Sequence, residues 1–220
     1  MVQVARRVRD AGAEVNSVHI PPETETLLST PGHGRDAVDL MDKCLSAALA
    51  AGARVAVVHA WDLRCPEFSQ SCLIEGLNRF GQSFGDRGVS LSVENIPGQL
   101  RMLGIIADSC AQVSFTADTR WAAMEDSWGL LSDLIPRLTN VHVQTYVDPL
   151  EAGGVTLGRT GTGLGAKSFH AERVMRSFAE GGYSGLVTLE PNNVQNIDET
   201  HLRQALEMLS RWCGRVLKPD

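Results

Sequence analysis

Six short apolar runs alternate along this chain with longer segments of helical period, and that alternation restricts the fold more than any other feature of the sequence. The runs are EVNSVHI (14–20), RVAVVHA (54–60), VSLSVENI (89–96), AQVSFTAD (111–118), TNVHVQTY (139–146) and SGLVTLE (184–190). Between them lie DAVDLMDKCLSAALAAG (36–52), CLIEGLNRFGQSFGDRG (72–88), QLRMLGIIADSC (99–110), DSWGLLSDLIPRL (126–138) and SFHAERVMRSFAEGG (168–182), and ETHLRQALEMLSRWCG (199–214) follows the last run. Strand, helix, strand throughout predicts a parallel sheet covered by helices. Near-continuous apolar strands suit burial on both faces. Gly52 and Gly88 are expected to end helices in the left-handed conformation.

The order of elements allows a closed (β/α) barrel or an open doubly wound sheet. Polar residues at the strand ends decide between them. Each run finishes at an ionisable side chain: His19, His59, Glu94, Asp118, His142 and Glu190. A barrel gathers such ends around one mouth, whereas an open sheet spreads them along a line. Any one of them alone reads as a helix cap, a turn former or a hydrogen-bonded core residue. All six together favour a TIM-type barrel with six βα units. The spacing agrees, since Glu94 to Asp118 and Asp118 to His142 each span 24 residues and His142 to Glu190 spans 48.

At 220 residues with 43% hydrophobic and 21% charged, the chain is expected to form one globular domain, residues 1–220. Its net charge of −6 offers no basic footprint, so nucleic acid and anionic membranes are disfavoured partners. The N-terminal MVQVARRVRDAGAE lacks the apolar stretch of a signal peptide, and no apolar run has the length to span a bilayer, so the expected location is the cytoplasm. Cys44, Cys65, Cys72, Cys110 and Cys213 form no C-x-x-C pair and are expected as reduced thiols.

Where two Glu, one Asp and one His converge on a barrel mouth, the three carboxylates would repel one another, and a divalent cation removes the conflict. Oxygen ligands with one imidazole suit Mn²⁺, Mg²⁺, Co²⁺ or Zn²⁺, and the lack of thiolates speaks against a structural zinc site.

With these residues in place, the sequence resembles the xylose isomerase-like barrels, which include sugar phosphate isomerases/epimerases, ketose 3-epimerases and endonuclease IV. The motifs SVHIPPE, VAVVHA, LSVENIPG, TADT, NVHVQ and GYSGLVTLEPNN carry the resemblance across residues 17–193. It implies that Glu94, Asp118, His142 and Glu190 hold one divalent metal, Mn²⁺ first among the candidates. It also implies that Glu94 and Glu190 are catalytic: one removes a proton beside a carbonyl and the other returns it, by way of an enediolate. The substrate implied is a small sugar or sugar phosphate.

The departures from the family pattern are specific. Trp121 stands where epimerases carry a substrate-holding His, and it cannot ligate a metal. GRTGTGLGAKSFH (158–170) replaces the family's P-G-E-G segment. Its glycines would let backbone N–H groups approach an oxygen-rich substrate, with Arg159 or Lys167 pairing a phosphate or carboxylate. Against that stands a plain flexible lid or linker. Asp148 is the acid that follows the V-H-V strand. His19 and His59 are expected to contact substrate, with a second metal, as in endonuclease IV, or a structural role as the alternatives. Relative to the family, the chain begins inside the helix that leads into SVHIPPE, two strands short of eight. An open barrel would expose strand flanks, which makes a homo-oligomer a further expectation. The leading function is a metal-dependent isomerase/epimerase. The alternatives are a phosphodiesterase acting on abasic DNA and a non-catalytic barrel that binds a small molecule.

Overall fold

The structure is a computed structural model that describes residues 6–8, 10–61, 67–97, 100–161 and 167–214. Cys65, Gly98, Gln99 and residues 162–166 of the glycine-rich loop, all singled out in the sequence, lie outside the described residues. The chain divides into two compact units, Met1–Thr116 and Ala117–Asp220.

In the first unit, β1 (Ser17–His19), β2 (Val55–Val58) and β3 (Ser90–Glu94) are joined in parallel, and β3 pairs with β4 (Ser114–Asp118), which runs across the boundary. The register sets Val57 opposite His19 and Ser92, and Ser92 opposite Ser114. Because side chains alternate along a strand, this fixes two faces. One carries Val18, Ala56, Val58, Leu91, Val93 and Phe115. The other carries His19, Ser90, Ser92, Glu94, Ser114 and Thr116. Its small hydroxyls satisfy one another across strands, Ser90 to Ser114 and Ser92 to Thr116, at 2.7 Å each. A polar face can therefore be buried without orphaned groups.

Helices α1 (Glu23–Ser29), α2 (Gly34–Ala51), α3 (Gln70–Gly85) and α4 (Leu100–Ser109) also belong to this unit. In α2 the residues Ala37, Met41, Cys44, Leu45, Ala48 and Ala51 are buried, and in α3 Leu73, Leu77, Phe80, Gly81 and Phe84. Both sets follow the helical repeat, so each helix has one apolar stripe. Helix α3 lays its stripe against β3, and each fully buried Leu or Phe contributes about 1.5–3 kcal/mol. Gly52 caps α2 in the left-handed conformation (φ 81°), as expected. Gly88 does not cap α3, which ends at Gly85; Gly88 takes its positive φ of 75° in the turn that follows.

In the second unit, β5 (Leu138–Thr145) pairs in parallel with β8 (Leu186–Pro191), and β6 (Asp148–Pro149) with β7 (Val155–Thr156) makes a short antiparallel hairpin. The segment 126–138, expected as one helix, is broken. α5 (Thr119–Glu125) ends at Asp126 in the left-handed region (φ 54°), then come α6 (Trp128–Asp133) and a 3-10 turn over Ile135–Arg137 that contains Pro136. α7 (Ala171–Glu180) buries Ala171, Met175 and Phe178, and α8 (Glu199–Trp212) buries Ala205 and Leu209. Ala205 joins Val147 and Val155 in a core that Leu189 and Met208 flank. Among the described residues, no helix is long and apolar enough to cross a membrane.

Candidate functional site

In the first unit, three adjacent strand ends deliver three side chains to one place. His19 ends β1, His59 follows β2 and Glu94 ends β3. Glu94 is 2% exposed, and its Oε2 lies 2.9 Å from His19 Nε2 and 3.0 Å from His59 Nε2. The two rings meet edge to face, their centroids 4.8 Å apart. Glu25, on α1, lies with Oε1 3.1 Å from His59 Nδ1.

The protons can be counted. His19 Nδ1 sits 3.0 Å from the Ile20 carbonyl, which only accepts, so a neutral His19 spends its one proton there. Its Nε2 then turns a lone pair toward the Glu94 carboxylate. His59 lies between two carboxylates and in the neutral state has a proton for only one of them. A positive centre, either protons or a cation, resolves both contacts. The ligand atoms of His19, His59 and Glu94 lie within 4.8 Å of one another, so the donor set fits a divalent ion in distance as well as in chemistry.

In the second unit, the face of β5 that carries His142 also carries Asn140, and the paired face of β8 carries Thr188 and Glu190. His142 is 3% exposed, with Nδ1 3.1 Å from Glu190 Oε1 and Nε2 3.0 Å from Asn140 Nδ2. Thr188 Oγ1 donates to Asn140 Oδ1 at 3.1 Å. Asp118, 1% exposed, caps α5: its Oδ1 accepts the Trp121 backbone N–H at 2.9 Å. Buried carboxylates and imidazoles of this kind are tolerated only when paired or coordinated.

Trp121, Arg159 and Lys167 are the remaining residues that the sequence offered for substrate. Trp121 lies in the first turn of α5, half-buried, with the Arg120 guanidinium 4.5 Å over its ring. Arg159 is engaged within its own unit. It forms a two-pronged pair with Asp148, Nε to Oδ2 at 2.9 Å and Nη2 to Oδ1, and stacks 3.9 Å over the Tyr146 ring. The Asp148 hydrogen bond outweighs burial and holds the guanidinium pKa above its ordinary value. Lys167 is exposed, and its carbonyl accepts from Thr160 N at 2.9 Å.

Glu25, Asn140 and Thr188 were not singled out in the sequence. Asn140 and Thr188 stand two residues before His142 and Glu190, so the strand period of two was the signal for both. Glu25 has no local signal, since it meets His59 only through the placement of α1.

A sequence profile of the xylose isomerase-like TIM barrel family matches residues 2–212. No curated protein gives a significant match. Among solved structures, a D-psicose 3-epimerase with D-tagatose from Clostridium cellulolyticum H10 superposes with a TM-score of 0.69 at 14% identity, over 97% of this chain and 83% of its own. A sugar phosphate isomerase/epimerase from Parabacteroides distasonis ATCC 8503 gives 0.68 at 14% identity, over 96% and 74%. A family 2 AP endonuclease from Brucella melitensis gives 0.68 at 16% identity, over 94% and 82%. At such identities the likeness concerns the fold alone. The profile extends over nearly the whole sequence, and the chain belongs to the xylose isomerase-like TIM barrel family.

Proposed function

We propose that this chain, acting as a single domain over residues 1–220, is a divalent-metal-dependent isomerase or epimerase of sugars or sugar phosphates. Glu94, Asp118, His142 and Glu190 are the ligands in this reading, with Mn²⁺ as the ion and Mg²⁺, Co²⁺ or Zn²⁺ as alternatives. The observation that carries it is that both glutamates at parallel strand ends stand against imidazoles, Glu94 at 2.9 and 3.0 Å and Glu190 at 3.1 Å. The structural likeness to epimerases and isomerases supports the same reading.

The ion, when bound, supplies positive charge that stabilises an enediolate. One of the two glutamates takes the proton from the carbon beside the substrate carbonyl, and the electron pair of that C–H bond moves to form the enediolate. The other returns a proton to carbon, and delivery to the opposite face inverts the centre. His19 and His59 hydrogen-bond substrate hydroxyls, with Trp121, Arg159 and Lys167 as further contacts.

The test pairs elemental analysis of metal-loaded protein with turnover of a ketose panel by the wild type, Glu94→Gln and Glu190→Gln. The expected result is one bound divalent ion and a loss of at least about 10²-fold in kcat for each variant. Wild-type protein that retains no divalent ion after loading overturns the proposal.

One observation favours a second reading. The His19, His59 and Glu94 ligand atoms fit a cation of their own, which a phosphodiesterase acting on abasic DNA would use in a multi-metal site. The net charge of −6 weighs against a DNA substrate. Nicking of an abasic duplex by metal-loaded protein would establish this reading, and intact duplex would remove it.

A further inference from the structure

His142 is held from both sides, and the two sides together set where its one ring proton lies. Asn140, which is fully buried, turns its amide so that Oδ1 accepts from Thr188 Oγ1 at 3.1 Å and Nδ2 faces His142 Nε2 at 3.0 Å. An amide NH₂ only donates, so Nε2 accepts. A neutral ring then carries its proton on Nδ1, which faces Glu190 Oε1 at 3.1 Å. In this arrangement Nδ1, the nitrogen directed at the Glu190 carboxylate, has no lone pair to give to a metal.

Moving the proton to Nε2 frees Nδ1 but sets two donors, the ring N–H and the amide NH₂, against each other. Turning the Asn140 amide about removes the clash. Oδ1 then accepts from Nε2–H, and the NH₂ turns to Thr188, whose hydroxyl accepts as readily as it donates. Both ends of Asn140 stay satisfied in either state, and no strand has to move.

We propose that Asn140, backed by Thr188, is the positioning residue that supports either tautomer of His142, and that reversal of its amide lets Nδ1 turn its lone pair to the divalent ion. The inference rests on the reading of His142 as a metal ligand. It assigns a role to two side chains that touch neither substrate nor metal.

Long-range ¹H–¹⁵N correlation spectra report which ring nitrogen carries the proton, so the test begins on metal-free protein. In the wild type, His142 is expected as the Nδ1–H tautomer. In Asn140→Asp, whose carboxylate only accepts, it is expected as Nε2–H. Adding Zn²⁺, a diamagnetic probe, should move the wild type to Nε2–H. Zn²⁺ affinity should fall about 10–100-fold in Asn140→Ala and recover in Asn140→Asp, with circular dichroism unchanged. Asn140→Ala introduces no buried charge, so the affinity measurement stays decisive if the aspartate variant does not fold. An unchanged His142 tautomer in Asn140→Asp, or undiminished Zn²⁺ affinity in Asn140→Ala, overturns the inference. Wild-type protein with the Nδ1–H tautomer and no Zn²⁺ uptake instead overturns the metal assignment above, and the delivery step with it.

Discussion

Burial governs the chemistry of single side chains in this chain, as Cys44 shows. It sits in the buried stripe of α2, 4% exposed, and desolvation raises its thiol above the ordinary value of 9.0. Because the folded state holds this proton more tightly than the unfolded state, Cys44 costs no stability below pH 9.0 and progressively more as pH rises past it. Urea midpoints should therefore fall between pH 8 and pH 10, and less so in Cys44→Ala. In native protein at pH 8, Cys44 should resist Ellman's reagent until denaturant is added. Labelling of Cys44 in the native state would contradict this. Glu94 is as deeply buried, and two imidazoles stand beside its carboxylate.

Individual elements do two jobs at once in this fold. Asp118 ends β4 and also caps α5 through the Trp121 N–H at 2.9 Å. Asparagine caps a helix as well as aspartate does but gives a metal a neutral oxygen. Asp118→Asn should thus keep thermal stability within about 0.5 kcal/mol and lose divalent-metal affinity, whereas Asp118→Ala should lose the affinity and about 1 kcal/mol besides. Denaturant unfolding and metal titration of both variants separate the two roles. At Gly158 the chain makes another close approach: φ is 122°, and a Cβ would lie 2.2 Å from the Phe169 carbonyl. Its neighbour Arg159 bridges to Ser168, so Gly158 permits the backbone around Arg159 to approach that around Phe169.

For the molecule as a whole, metal binding and folding stability are linked. A ligand that binds only the folded state adds RT ln(1 + [L]/Kd), about 2.7 kcal/mol at 100 times Kd. Mn²⁺ should accordingly raise the melting temperature in a concentration-dependent way, and EDTA should reverse the gain. Replacing all four proposed ligands, Glu94, Asp118, His142 and Glu190, should abolish the shift. A melting temperature indifferent to Mn²⁺, Mg²⁺, Co²⁺ and Zn²⁺ would contradict the proposed function at this scale.

The sequence by itself determined the strands, their order and five of the six residues at or beside their ends, whereas His142, expected at an end, lies inside β5, three residues before Thr145. Val-rich runs ending in His, Glu or Asp recur with a period that the backbone enforces, and successive side chains on a strand must take opposite faces. The expected strands accordingly match β1 to β5 and β8 to within a few residues. Helix α1 went unread because ETETLLS is too short to show an apolar period, and the break at Asp126 went unread because a positive φ in a non-glycine residue leaves no mark on composition. Only tertiary structure decided what each strand-end residue faces. Glu25 reaches His59 across 34 residues, Thr188 reaches Asn140 across 48, and Asp148 claims the guanidinium of Arg159. Hydrogen bonds at that separation depend on where packed helices and strands place their side chains in space, and no local pattern of residue types encodes that placement.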